Sequence, residues 1–319
     1  MERIIMHIDV NNAFLSWTAV DLLKKGHKTD IRSEYAIIGG DESKRRGIVL
    51  AKSMPAKNKG VKTAETIYSA RKKCPYLNIY PPNRELYREM SNKLFTLLSN
   101  YTTDIEIVSI DECFLDYTPI KKQYGDEVSF AYKIKDEIQK NLGFTVNVGI
   151  ANNKLCAKMA SDFSKPNKVH TLYEFEVKNK MWPLDVGDLY GVGKKTTEKL
   201  KNLGINTIYD LAHTDEKYLY KFFKNQASVL IDKANGIDNS LVNTSVSEKK
   251  GISNSTTFSY NLISMDDILV KLQALVENVC IDLRKKERYA KVVCVTLKDK
   301  TFKSKSHQKI GRAHVWTPV

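Results

Sequence analysis

Residues 109–116 read Ser-Ile-Asp-Glu-Cys-Phe-Leu-Asp and constrain this chain more than any other segment. Two adjacent carboxylates, Asp111 and Glu112, interrupt an apolar run that otherwise reads as strand, turn and strand. A third, Asp9, closes the apolar N-terminal run 3–9. Carboxylates gathered on a rigid sheet are hard oxygen donors suited to Mg²⁺. Two such ions can hold a phosphoryl transfer in line. An Asp-Glu pair in a hairpin turn is more often merely solvated, so the weight falls on the surrounding topology.

That topology is readable. Leu86, Met90, Leu94 and Leu97 recur at helical spacing across 84–100, and Phe130, Ile134 and Ile138 do so across 126–141. Residues 105–110 and 113–117 form the hairpin arms, and 144–151 alternates Phe144, Val146, Val148 and Ile150 as a half-buried strand. The order is β-α-β-β-α-β, the ferredoxin-like arrangement. Its first and third strands are neighbours, so Asp9 should meet Asp111 and Glu112 at one end of the central pair. Successive strand residues point to opposite faces. Both members of the pair therefore serve one site only if the turn bends them together.

The 319 residues are enough for two or more domains. The formal net charge of +14 favours a polyanionic partner, a basic but inert solubility surface being the ordinary alternative. Cys74, Cys113, Cys156, Cys280 and Cys294 show no CxxC spacing and are odd in number, against a zinc site or disulfide framework. Cys113 and Cys156 read as small core residues. No signal-peptide pattern or membrane-length apolar run is visible, which makes a cytoplasmic protein the expectation.

Further along, Gly191-Val192-Gly193 opens a helix with Leu200 and Leu203 on its apolar face, Gly204 closes it, and a second helix starts near Thr207. This is a helix-hairpin-helix pattern, whose glycines let backbone N–H groups approach a phosphate. Lys194 and Lys195 add charge. Residues 235–247 read as an irregular linker. Beyond it, 249–260 is expected as a strand, 265–286 as a helix with Ile268, Leu272, Leu275 and Val279, and 290–297 and 300–307 as two more strands. Lys298, Lys300, Lys303 and Lys305 fit phosphate contact; an edge strand protected by lysines is the ordinary alternative.

Five segments, HIDVNNAFLSW, IVLAKSMPAKNKGVKTAE, SIDECFLD, VGIANNKLCAKMASDFSKPN and LYGVGKKTTEKLKNLGI, occur in the order seen in Y-family translesion DNA polymerases. The chain resembles the bacterial DNA polymerase IV branch over about residues 1–309. The resemblance implies an α+β right-hand polymerase with a ferredoxin-like palm, small fingers, a helical helix-hairpin-helix thumb and an incomplete α/β little finger. It sets the palm at 1–19 and 76–168, the fingers at 20–75, the thumb at 169–235, a linker at 236–247 and a partial little finger at 248–309.

The implied activity is error-prone, template-directed addition of dNTPs to a primer 3′ end, past lesions and without proofreading. Asp9, Asp111, Glu112 and the backbone carbonyl of Val10 would hold two Mg²⁺ ions, with Glu112 nearest the primer 3′-hydroxyl. Phe14 stands where the family keeps a steric gate against the ribose 2′-hydroxyl. The backbone N–H groups of Ala13 and Phe14, together with Lys165, would take the triphosphate. Gly191, Gly193, Lys194, Lys195, Lys303 and Lys305 would grip DNA. Partners would be a primer–template and dNTPs, with a sliding clamp for the full-length protein, and the chain itself a monomer. The fingers depart from the family: Met54 and Lys57 stand where many relatives have Tyr and Arg. Lys57 keeps the charge without the bidentate fork, and Met54 has no hydroxyl to donate.

Two other functions use parts of this pattern. A nucleotidyl cyclase also mounts metal carboxylates on a ferredoxin-like palm, and the helix-hairpin-helix and basic last segment argue against it. A DNA-binding protein with a dead palm is disfavoured by the intact Asp9, Asp111 and Glu112. The closing residues 310–319, IGRAHVWTPV, resemble a translated sequencing adapter, so the expectation is a non-native tail and a native frame ending near Lys309.

Overall fold

The computed structural model describes residues 3–41, 47–245 and 250–311. It divides into two compact units, Met1–Gly39 with Val49–Ser245, and Gly40–Ile48 with Val246–Val319.

In the first unit, β1 (Ile5–Val10) is buried throughout and leads into α1 (Ala13–Lys24). A small sheet follows, of β2 (Ala36–Gly39), β3 (Val49–Lys52) and β4 (Asn78–Tyr80) in the order β3-β2-β4. It carries the short helices α2 (Met54–Asn58) and α3 (Ile67–Lys73). α4 (Arg84–Ser99) returns the chain to the large sheet. There follow β5 (Ile105–Ile107), β6 (Glu112–Asp116), α5 (Lys121–Tyr124), α6 (Glu127–Leu142), β7 (Val146–Ala151), α7 (Lys154–Asp162) and β8 (Val169–Thr171). The large sheet runs β5-β6-β1-β7-β8, with β1 antiparallel to both β6 and β7. The expected first and third strands are thus neighbours, and a fifth strand, β8, extends the sheet.

Register sorts the two faces. Met6, Ile8, Val10, Cys113, Leu115, Val146 and Val148 lie in one buried cluster with Tyr87, Met90 and Leu94 of α4 and Phe130, Ile134 and Ile138 of α6. The alternate residues His7, Asp9, Glu112 and Phe114 belong to the other face, where Asp9 pairs with Glu112 and His7 with Phe114. α7 covers that face at very short range. A Cβ on Gly149 would lie 2.0 Å from the Ala157 carbonyl oxygen and 2.4 Å from the Ser161 nitrogen. Only a glycine admits the helix this close to β7.

A helical segment follows: α8 (Lys194–Asn202), α9 (Ile208–Ala212), α10 (Glu216–Phe223) and α11 (Gln226–Ala234). Leu200, Ile208, Leu211, Leu219 and Leu230 share one cluster with Leu155, Cys156 and Met159 of α7. Gly193 is the N-cap of α8, Gly204 follows it at φ 81°, and Thr207 with Asp210 closes a capping box on α9. Residues 236–245, expected as linker, are irregular yet fastened. Asn153 Nδ2 donates to the Gly236 carbonyl (2.7 Å), Leu155 N to Asp238 Oδ2 (3.0 Å) and Asn243 N to Glu106 Oε2 (2.7 Å).

The second unit holds α12 (Met265–Lys285) and an antiparallel pair, β9 (Val292–Lys298) and β10 (Ser304–Ile310). None of the three elements buries a residue fully, since one helix and a two-stranded ribbon cannot enclose a core. The strand expected over 249–260 is not formed across 250–260, and Lys249 lies outside the described residues. That run is rich in Ser, Thr and Asn, whose side chains compete with ladder hydrogen bonds. β10 starts later than expected because Asp299 Oδ1 accepts from Thr301 N and Lys303 N and builds the turn first. Ile310 of the expected tail pairs with Val292, and 312–319 lie outside the described residues.

Gly149→Ala should destabilise the first unit by roughly 2–3 kcal/mol, the usual cost of overpacking, because backbone rather than a side-chain tip must yield. A urea titration followed by circular dichroism measures it; an unchanged midpoint would show that α7 can lift without cost.

Candidate active site

The hairpin between β5 and β6 supplies the bend that alternation alone forbids. Val108 N and Ser109 N both donate to the Glu112 carbonyl, at 3.1 and 3.2 Å, and Val10 N donates to the Asp111 carbonyl at 3.0 Å. Ser109 Oγ donates to Asp111 Oδ1 at 2.6 Å. Asp111 therefore sits in the turn beside the end of β1. Burial raises its carboxyl above the usual range, and the charges of Asp9 and Glu112 raise it further. The three expected carboxylates do converge.

Two lysines from the α7 region answer this charge. Lys158 Nζ lies 2.9 Å from Glu112 Oε2, and Lys165 Nζ pairs with Asp9 and, at 2.8 Å, with Asp162 Oδ1. Burial opposes the charge on both lysines, but Asp9 and their other acidic neighbours raise them overall. His7 is buried beneath the cluster, its Nδ1 2.9 Å from Ser161 Oγ. His7 Nε2 stands 3.3 Å from Glu112 Oε2 but off hydrogen-bond alignment. The nearby His7 ring and the paired Lys158 ammonium hold the Glu112 carboxyl below the usual range, against its own partial burial, and with His7 misaligned the Lys158 pair is the firmer cause. Burial keeps His7 below its ordinary value.

These side chains fit a divalent cation by donor type, all hard carboxylate oxygen, and by the excess negative charge expressed at Asp111. Among the described residues no three Asp, Glu, His or Cys side chains already stand as a preformed cage. Lys158 and Lys165 are the cations now paired with Glu112 and Asp9, so binding a metal requires those carboxylates to be shared or released.

The start of α1 adjoins this cluster. Asn12 heads the helix in the left-handed region (φ 52°, ψ 52°) and makes no side-chain cap. Its amide instead donates to the Lys52 carbonyl at 2.7 Å. The first-turn N–H groups of Ala13 and Phe14 have no acceptor within the helix, as at any helix start. The Phe14 ring is part-buried and stacks on Tyr87, centroids 4.5 Å apart and 13° from parallel. Met54 and Lys57 are both exposed on α2, which opens on Ser53 as N-cap.

The other expected positions stand on other elements. Gly191 (φ 91°) and Gly193 flank the start of α8, where Lys194 is 91% exposed and only loosely near Glu198 (4.0 Å). In the second unit, Lys303 lies in the Asp299 turn, and Lys305 is exposed on β10.

Comparison with known proteins places this arrangement. Three family models match: the impB/mucB/samB family over residues 8–162, the IMS family HHH motif over 176–205, and the impB/mucB/samB C-terminal domain over 249–314. A protein named DNA polymerase IV from Clostridium acetobutylicum is 47% identical over 97% of this chain and 78% of its own length. The chain belongs to the impB/mucB/samB family, the Y family of DNA polymerases. DNA polymerase IV 1 of Bacillus subtilis is 36% identical over 93% of this chain and 70% of its own length. A solved Y-family DNA polymerase chimera, Dbh-Dpo4(243-245)-Dbh, shares the fold at a TM-score of 0.82 and 24% identity, covering 97% of this chain and 88% of its own.

Within this Y-family chain, residue reasoning missed His7, Lys158 and Ser161. His7 was within reach of it, since a residue two before Asp9 on a strand shares its face. Lys158 and Ser161 depend on how α7 is rotated against the sheet, which periodicity does not specify.

Proposed function

We propose that this DNA-directed DNA polymerase extends a primer on a DNA template by two-metal nucleotidyl transfer, tolerating lesions and lacking a proofreading step. The observation that carries the reading is the convergence of Asp9, Asp111 and Glu112 at one end of the β1–β6 pair. Under it Asp9, Asp111, Glu112 and the Val10 carbonyl hold two Mg²⁺ ions, which when bound supply Lewis-acid stabilisation of the developing phosphate charge. The chain's own groups do the rest. Glu112 is the carboxylate nearest the primer hydroxyl. The N–H groups of Ala13 and Phe14 take phosphate oxygens at the α1 start. Lys165, when it releases Asp9, and Lys57 add charge to the same triphosphate. The part-buried Phe14 ring, braced by Tyr87, excludes a 2′-hydroxyl.

In this reading residues 1–19 and 76–168 are the palm, 20–75 the fingers, 169–235 the thumb, and 248–309 the little finger. Gly191, Gly193, Lys194 and Lys195 bind the DNA backbone from the thumb, and Lys303 and Lys305 from the little finger. The protein works as a monomer on primer–template and dNTPs, and a sliding clamp would be a partner of the full-length protein. Among the described residues no helix is long and apolar enough to cross a membrane.

Asp111→Ala and Glu112→Ala should each abolish primer extension, by several kcal/mol of lost charge stabilisation, while DNA affinity stays within about threefold. Near-wild-type extension by both would sink the assignment of the centre.

Phe14→Ala should admit ribonucleotides while deoxynucleotide incorporation persists, read by extension with rNTPs alone. Undiminished discrimination would make Phe14 a packing residue and move the gate elsewhere.

DNA affinity should fall steeply with salt and barely depend on sequence, since the proposed contacts are to phosphates. Anisotropy titrations from low to moderate salt give the slope, and a flat response would remove the thumb and little-finger lysines from the DNA site.

A further inference from the structure

Lys52 is the last residue of β3, one position before the N-cap of α2. Its main chain is fixed at the junction of the two sheets. The Lys52 carbonyl accepts from Asn12 Nδ2 at the head of α1, and the next residue, Ser53, donates its N–H to the Ala36 carbonyl at 2.8 Å. The preceding Ala51 packs with Leu15 and Ala19 of α1 in a small cluster that Phe14 joins. Lys52 therefore stands beside the α1 start, with little freedom in its backbone.

Its ammonium has one acceptor among the described residues, Thr63 Oγ1 at 2.8 Å. Among the described residues no ion pair joins Lys52 or Lys57 to a carboxylate. Glu65 is near, but its oxygens already accept from Lys73 Nζ, Lys62 N (2.7 Å) and Ser69 Oγ (3.0 Å). Lys57 is close enough to act on Lys52 through charge: partial burial first, then the Lys57 ammonium, lower Lys52 from its ordinary value, with Glu65 opposing. Two like charges thus share one corner without a free counter-charge among the described residues, and Lys52 has donors to spare. That corner calls for an anion.

It also answers the departure in the fingers. Met54 contributes no hydrogen bond, and Lys57 is a point charge where a fork is usual. A second lysine beside the first restores two separately aimed donors.

We propose that Lys52 is an incoming-nucleotide binding residue, gripping the polyphosphate jointly with Lys57. This rests on the polymerase reading above, and it adds a contact that the five matched segments do not assign. A backbone phosphate of DNA has the same chemistry, so the test separates the two sources.

Lys52→Met keeps the aliphatic stem and removes the charge. It should raise the dNTP KM about tenfold with kcat nearly unchanged, the pattern of a lost uniform binding contact. Pyrophosphate inhibition should weaken in parallel, DNA affinity and its salt slope should not move, and Lys52→Arg should restore most of the KM. Inorganic tripolyphosphate, titrated calorimetrically, should bind the wild-type chain about tenfold more tightly than Lys52→Met. Unchanged KM and tripolyphosphate affinity, or a loss confined to DNA binding, overturns the proposal. A wild-type chain that does not extend primers while the tripolyphosphate difference persists would overturn the polymerase reading and leave the anion site standing. Melting curves of both variants, expected to superimpose on wild type, exclude a merely structural role; a lowered melting temperature that accounts for the KM change counts against it.

Discussion

The approach of α7 to the sheet at Gly149 governs the chemistry of this fold. A helix normally stands off a sheet by the thickness of its side chains. Here the missing Cβ lets the Ala157 carbonyl and the Ser161 amide almost touch β7. Lowered to that depth, α7 delivers Ser161 to His7 and Lys158 to Glu112. A higher seat would leave His7 buried with neither partner, and Glu112 without its nearest cation. The same helix carries Leu155, Cys156 and Met159 into the core of the helical segment. One contact plane thus supports both the acidic centre and the packing of the helices behind it.

Charge at the centre is balanced unevenly. Glu112 and Asp9 each have a lysine, whereas Asp111 has only a serine hydroxyl and backbone. Glu112 is accordingly depressed, while burial first and then the charges of Asp9 and Glu112 raise Asp111 beside it. A cation entering this cluster meets most of its uncompensated charge at the turn residue. Buried unpaired charge is costly, which favours a centre that collects cations from solution.

Much of the fold was legible because its signals are local. The helix periodicities of α4 and α6 and the alternation of β7 came within two residues of the observed bounds. The meeting of Asp9 with Glu112 followed from strand order, since neighbours in a ferredoxin-like sheet are set by topology rather than by side-chain detail. The bend at Asp111 was not legible: it is made by Val10 N, Val108 N and Ser109 N, backbone groups that carry no residue identity. Lys165 was expected on a triphosphate and is found on Asp9, because attraction over so short a gap acts on whatever charge is present. The docking of 236–245 was invisible for a similar reason. Its hydrogen bonds use Asn153, Asp238 and Glu106, far apart in sequence and individually ordinary.

Asn12 joins the large sheet's first helix to the smaller sheet. Its left-handed backbone starts α1, and its amide, diverted from capping, holds the carbonyl of β3 in the smaller sheet. A swing of that sheet would have to break this bond or carry the first turn of α1 along. Were the small sheet to move, its position and the aim of the α1 amides would change together. One carboxamide, through its 2.7 Å bond, adds a directed contact to the apolar cluster of Leu15, Ala19 and Ala51 where the two meet.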